Sequence, residues 1–183
     1  MYDDMNLSLH VPNKIWYINN FLDYQNYKNI HYFVTRNKKK LNIHDAKKFW
    51  EKILYENIEA PSRGFIDINL DSTLFQKFKF LLNYNPYCNL NGYAKGFAVH
   101  YMSKGSGINW HNDGNWKYGI TYYINNKWDD QWGGELIYKD KEINGFIKPT
   151  KNSLLILKSP IEHKVVPVLS KRVPRITIQM FLK

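Results

Sequence analysis

The chain is 183 residues long, 44% hydrophobic and 16% aromatic, with a net charge of +10 and a single cysteine. That length and apolar content suit one packed domain and exclude a disordered chain. Cys88 alone permits no internal disulfide, and no apolar run reaches the ~20 residues a membrane helix needs. The residues Met1 to Met5 are acidic and lack the basic-then-apolar pattern of a secretion signal, so the expected setting is the reducing cytoplasm. A +10 balance favours anionic partners, nucleic acid or ribosomes among them. The lysines are dispersed, however, and only Asn37-Lys38-Lys39-Lys40 forms a run.

Residues 1 to 12 read as an irregular start or a short edge strand. Lys14 to Ile18 reads as a strand ending at Asn19-Asn20, and Phe21-Leu22-Asp23 leads into a helix of a dozen residues. Leu22, Tyr27, Ile30 and Phe33 are its candidate buried positions. Lys38 to Asn42 reads as a loop. Asp45 to Asn57 is expected as a second helix with Phe49, Trp50, Ile53 and Leu54 inward. Pro61-Ser62-Arg63-Gly64 is expected to break the chain. Asp71 or Ser72 can cap a third helix running to Leu82.

From Tyr87 the texture changes to short β-prone runs between Gly, Asn and Asp turns. The runs are Asn91 to Met102, Gly119 to Asn125, Gly134 to Lys139, Ser153 to Leu157, His163 to Leu169 and Arg175 to Leu182. Many short strands with turn signals predict a sandwich or barrel. The expected organisation is one domain: residues 1–86 as an N-terminal strand and helical support, residues 87–183 as the β core.

The chemistry-bearing stretch is Ile108 to Gly114, which holds His111 and Asp113 two residues apart. In a strand, residues i and i+2 point to one face, so both side chains can reach one point. His163 opens a later apolar run and supplies a third donor. Two imidazoles and a carboxylate form the facial set that holds non-haem Fe(II) with three positions open. A His-x-Asp tripeptide is weak by itself; the order of aromatic strand, Gly-Gly turn, third donor and strand-opening Arg strengthens it. The same ligands could serve a zinc hydrolase, and a metal-free barrel acting as a binding module is the third reading. Trp110, Trp116, Trp128 and Trp132 flank this region and read as packing or as a substrate entrance.

At His111, Asp113, His163 and Arg175 the chain resembles the Fe(II)/2-oxoglutarate-dependent oxygenases, and within them the prolyl 4-hydroxylase-like branch. The resemblance covers roughly residues 97–183, and Ile15 to Leu22 resembles that branch's opening strand and helix. It implies a mainly β fold with supporting helices, a double-stranded β-helix or distorted, cupin-like jelly roll. It implies that His111, Asp113 and His163 ligate the metal and that Asp113 favours hydroxylation, since halogenating relatives lack this carboxylate. It also implies that Tyr101 and Tyr123 line the 2-oxoglutarate pocket and that Arg175, with Thr177 on the same face, grips the distal carboxylate. Arg172, nine positions after His163, is the rival to Arg175, which sits inside the apolar alternation. His100 would face away from Tyr101 and reads as structural. The implied cofactors are Fe(II), 2-oxoglutarate and O2, with ascorbate as an optional addition. The implied reaction is hydroxylation with release of succinate and CO2. A prolyl residue of a protein or peptide is the first substrate expectation, a free amino acid or other small molecule the second. A nucleic-acid dealkylase is the runner-up that suits the charge.

Overall fold

The computed structural model describes residues 6–40, 42–45, 62–67, 94–141 and 143–183. Twelve strands are described: β1 (Asn6–Val11), β2 (Ile15–Asn19), β3 (Asn42–Asp45), β4 (Ser62–Asp67), β5 (Ala94–Met102), β6 (Ile108–His111), β7 (Tyr118–Tyr123), β8 (Leu136–Lys139), β9 (Asn144–Ile147), β10 (Ser153–Lys158), β11 (Glu162–Val165) and β12 (Arg175–Leu182). They form an eight-stranded sheet ordered β1-β2-β10-β7-β12-β5-β4-β3 and a four-stranded sheet ordered β6-β11-β8-β9. All the pairings are antiparallel. This is the double-stranded β-helix expected from the resemblance.

The large sheet is covered on both faces, which explains its unbroken apolar runs. Ile18, Ile120, Tyr122, Leu154, Ile156 and Ile178 pack towards the helix α1 (Tyr24–Arg36). Ile15, Tyr17, Tyr123, Leu155 and Leu157 pack the other way, against Leu136, Tyr138 and Ile147 of the small sheet. The small sheet has one wet face, so β8 alternates: Leu136 and Tyr138 are buried, Ile137 and Lys139 are not.

Helix α1 starts where the Asp23 carboxylate accepts from the Asn26 amide at 2.9 Å. Tyr27, Ile30 and Val34 form its buried stripe, and Phe33 is only partly buried. The inward position is thus Val34, seven residues after Tyr27, where two helical turns bring the chain back to the same face. Asn152 ties the helix entrance to the sheet. Its Oδ1 accepts from the Leu22 amide at 3.1 Å and the Tyr122 hydroxyl at 2.7 Å, and its Nδ2 donates to the Leu22 carbonyl at 2.7 Å.

The N-terminal part supplies more sheet than its sequence suggests. β1 and β2 extend one edge of the large sheet, β3 and β4 the other. Of the break expected over Pro61 to Gly64, Ser62, Arg63 and Gly64 lie instead in the strand Ser62–Asp67, where Gly64 pairs with Tyr101, and Pro61 lies outside the described residues. The loop expected at 38–42 is a 3-10 turn over Asn37–Lys40 with β3 beginning at Asn42. The second helix expected over 45–57 falls outside the described residues except for Asp45, which ends β3; the third, over 71–82, and Cys88 lie outside them altogether. Among the described residues no helix is long and apolar enough to cross a membrane.

Candidate metal centre

Strands β6 and β11 pair so that His111 and His163 stand directly opposite each other. Their ring centroids are 4.3 Å apart. Asp113 lies two residues beyond the end of β6 rather than inside the strand, just before the turn at Gly114-Asn115. One ligand atom from each of His111, Asp113 and His163 lies within 4.8 Å of the other two. His163 Nε2 is 3.8 Å from Asp113 Oδ1.

The backbone sets the imidazole tautomers. His111 Nδ1 is 2.8 Å from the Asn109 carbonyl, and His163 Nδ1 is 3.1 Å from the Ile161 carbonyl. A carbonyl oxygen only accepts, so each Nδ1 carries the proton and each Nε2 keeps its lone pair for a metal. Burial holds the His163 imidazole below its ordinary pKa, against the smaller opposing effect of the Ile161 carbonyl. The neutral form is the one that coordinates. Burial raises the Asp113 carboxyl, with His111 pulling the other way. A carboxylate desolvated this way gains most from a cation beside it. Two nitrogens and one oxygen on one side of a cavity are a donor set that fits ferrous iron.

Gly119 makes room for that carboxylate. A Cβ built at this position would sit 1.8 Å from Asp113 Oδ2. Gly119→Ala should therefore turn the carboxylate out of place and weaken metal binding by about 10–100-fold, the scale seen when groups supporting a ligand are lost. A metal-chelator competition titration checks this, with the thermal transition as control for folding. Nothing in the sequence pattern marks Gly119, because its neighbour is set by a turn and not by spacing.

Across the cavity, β12 presents Arg175, 1% exposed. Its Nε donates to the Gly134 carbonyl at 2.9 Å, its Nη2 lies 3.5 Å from the Tyr123 hydroxyl, and its guanidinium sits 5.1 Å from the Tyr123 ring centroid. Among the described residues no carboxylate forms an ion pair with it. Burial pulls the guanidinium below its ordinary pKa and pushes the Tyr123 phenol up to about 12, so Tyr123 stays a hydroxyl donor. The Glu135 carboxylate attracts the Arg175 guanidinium, the smallest of the effects opposing burial, without forming an ion pair, so a buried guanidinium held this way gains from an anion that joins it. Arg172, the rival, is exposed in the turn before β12.

Gly134 has a φ of 76° and stands between Trp128 and Arg175: an added Cβ would meet Trp128 Cζ2 at 3.0 Å and Arg175 Cδ at 3.1 Å. Trp128 Nε1 donates to the Gly133 carbonyl at 2.8 Å. That tryptophan therefore holds the turn whose next carbonyl holds Arg175. Trp116 packs on Phe181, a residue of the cavity wall, at 5.6 Å between centroids. Trp110 lies under Lys139 and Lys164 instead.

Two expectations about β5 are reversed. Tyr101 does not line the cavity; it packs in the core shared with α1, and its neighbours His100 and Met102 line the cavity. Alternation along β5 gives the opposed pair, and the pairing of Met102 with Arg175 decides which member faces inward. Thr177 is fully buried and is not a residue of the cavity wall; its hydroxyl accepts from Gln179 Nε2 at 3.2 Å. Gln179 and Phe181 are the further cavity residues of β12 that the sequence reading passed over.

Residues 97–183 match the sequence model of the 2OG-Fe(II) oxygenase superfamily. Among curated proteins no sequence matches the chain. Among solved structures, the chain is similar to a prolyl-4-hydroxylase from Pseudomonas putida (13% identity, TM-score 0.64, 93% of this chain and 92% of that one). It is similar to a Trichoplax adhaerens prolyl hydroxylase in complex with a hypoxia inducible factor oxygen degradation domain peptide fragment (19% identity, TM-score 0.69, 93% and 83%). It is also similar to the viral collagen prolyl hydroxylase of Paramecium Bursaria Chlorella virus-1 in its 2OG complex (13% identity, TM-score 0.61, 92% and 94%). At these identities the likeness is one of fold.

Proposed function

We propose that the chain, whose residues 97–183 match the sequence model of the 2OG-Fe(II) oxygenase superfamily, is such an oxygenase and hydroxylates an unactivated C–H bond of a prolyl residue in a protein or peptide. The reading rests on one observation. Three ligand atoms converge on one side of a cavity whose facing sheet carries a buried guanidinium that, among the described residues, forms no ion pair with a carboxylate. When bound, iron and 2-oxoglutarate supply the oxidising power that places one atom of O2 in the C–H bond, with release of succinate and CO2.

The chain's own residues divide the work. His111, Asp113 and His163 hold Fe(II), and the Asn109 and Ile161 carbonyls orient the two imidazoles. Arg175 takes the distal carboxylate of 2-oxoglutarate, and the Tyr123 hydroxyl beside it adds a donor. The apolar walls, among them Ile108, Leu136, Leu157 and Val165, exclude water from the site.

The prolyl assignment draws on the three similar solved structures named above, which are prolyl hydroxylases, one of them with a peptide bound. It is tested by incubating the protein with iron, 2-oxoglutarate, O2 and proline-containing peptides. The expected result is a peptide heavier by one oxygen, formed together with succinate. Succinate formation driven by a free amino acid and by no peptide would replace the prolyl-peptide assignment with a small-molecule one.

A further inference from the structure

The inner face of the large sheet is apolar around the cavity except for a strip across β5, β12 and β7. His100 pairs with Thr177, and Thr121 with Gln179. His100, Thr121 and Gln179 all line the cavity that holds the three candidate ligands and Arg175. The Gln179 carboxamide is clamped: its Oε1 accepts from the Thr121 hydroxyl at 3.0 Å, and its Nε2 donates to Thr177 at 3.2 Å. A primary amide has two N–H donors. Among the described residues, the second has no protein partner.

We propose that Gln179, held by Thr121 and Thr177, is a binding residue that donates a hydrogen bond to the end of 2-oxoglutarate away from Arg175. This rests on the oxygenase reading of the site. On β12, Arg175 and Gln179 are four residues apart on one face of the strand, so one extended dicarboxylate can meet both. Arg175 supplies charge at one end. Gln179 supplies a neutral donor at the other, where a second cation would compete with the metal. Thr121 keeps the amide oxygen occupied, so that a donor and not an acceptor meets the anion.

The test measures 2-oxoglutarate affinity calorimetrically on the full chain loaded with Mn(II) under exclusion of oxygen, together with Mn(II) affinity. Gln179→Leu is expected to raise the 2-oxoglutarate dissociation constant about tenfold or more, since a bond to a charged group is lost. Gln179→Glu, the same size but anionic, is expected to raise it further. Thr121→Val, which unlatches the amide but leaves it in place, gives a smaller rise. Mn(II) affinity stays unchanged in Gln179→Leu and Thr121→Val, and in turnover KM for 2-oxoglutarate rises more than kcat falls. Should Gln179→Leu lose its thermal transition, Gln179→Glu and Thr121→Val carry the comparison. Wild-type 2-oxoglutarate affinity in the folded variants overturns the role of Gln179. A wild-type protein that binds Mn(II) but no 2-oxoglutarate overturns instead the oxygenase reading on which it rests.

Discussion

Asp113→Ala is expected to abolish both iron binding and succinate formation. The two imidazoles would remain, their Nε2 atoms still directed by the Asn109 and Ile161 carbonyls. The only oxygen donor of the set would be gone, and with it the charge that offsets a dication in a buried site. Groups that merely support a ligand are worth about 10–100-fold in metal affinity, so losing the ligand should exceed about 100-fold. The measurement is an anaerobic titration of Fe(II) with 2-oxoglutarate, read in the visible absorption of the chelate. His111→Ala should give the same result. The fold should survive both changes, because neither residue belongs to the apolar clusters that hold the sheets together. A normal chelate band in Asp113→Ala would remove this carboxylate from the metal.

Arg175→Ala is the second large effect, and it should fall on the co-substrate alone. A hydrogen bond to a charged group is worth about 1.5–3 kcal/mol, which corresponds to about 10–100-fold in 2-oxoglutarate affinity. Removing the guanidinium also leaves the Gly134 carbonyl without its 2.9 Å donor, so a modest loss of thermal stability accompanies it. Iron affinity without 2-oxoglutarate should be unchanged, which separates the loss of an anchor from the loss of a fold. Arg172→Ala should change neither quantity, because that side chain is exposed in the turn. A selective rise in the 2-oxoglutarate requirement of Arg172→Ala would reverse the assignment. The same titration tells the oxygenase from a zinc hydrolase on the same donors, since a hydrolase has no use for a dicarboxylate anchor.

The local rules of the chain carried far. Uninterrupted apolar runs such as Leu154 to Leu157 read as strands, and the structure makes them strands covered on both faces. His111 and Asp113 are two residues apart and do meet, but the strand stops at His111, so the backbone beyond it and not strand alternation brings the carboxylate to the imidazoles. β12 has the bounds its alternation predicts, Arg175–Leu182. β9 was not foreseen, because Asn144-Gly145-Phe146-Ile147 has the composition of a turn and is a strand only through its pairing with β8. The break expected over Pro61 to Gly64 does not hold for Ser62 to Gly64 for the same reason: Gly64 is held in β4 by its partner Tyr101.

Sequence by itself determined the order and spacing of the donors, the two-faced burial of the central strands and the alternation that puts Arg175, Thr177 and Gln179 on one side of β12. These are properties of neighbouring residues, and pleat and period make them readable. The tertiary structure alone decided that Tyr101 turns to the helix while His100 and Met102 face the cavity, that Arg175 and not Arg172 is buried there, and that Gly119 must lack a side chain beside Asp113. Each of those depends on which strand pairs with which, in what register, and on contacts between residues distant in the chain, and no local pattern encodes them.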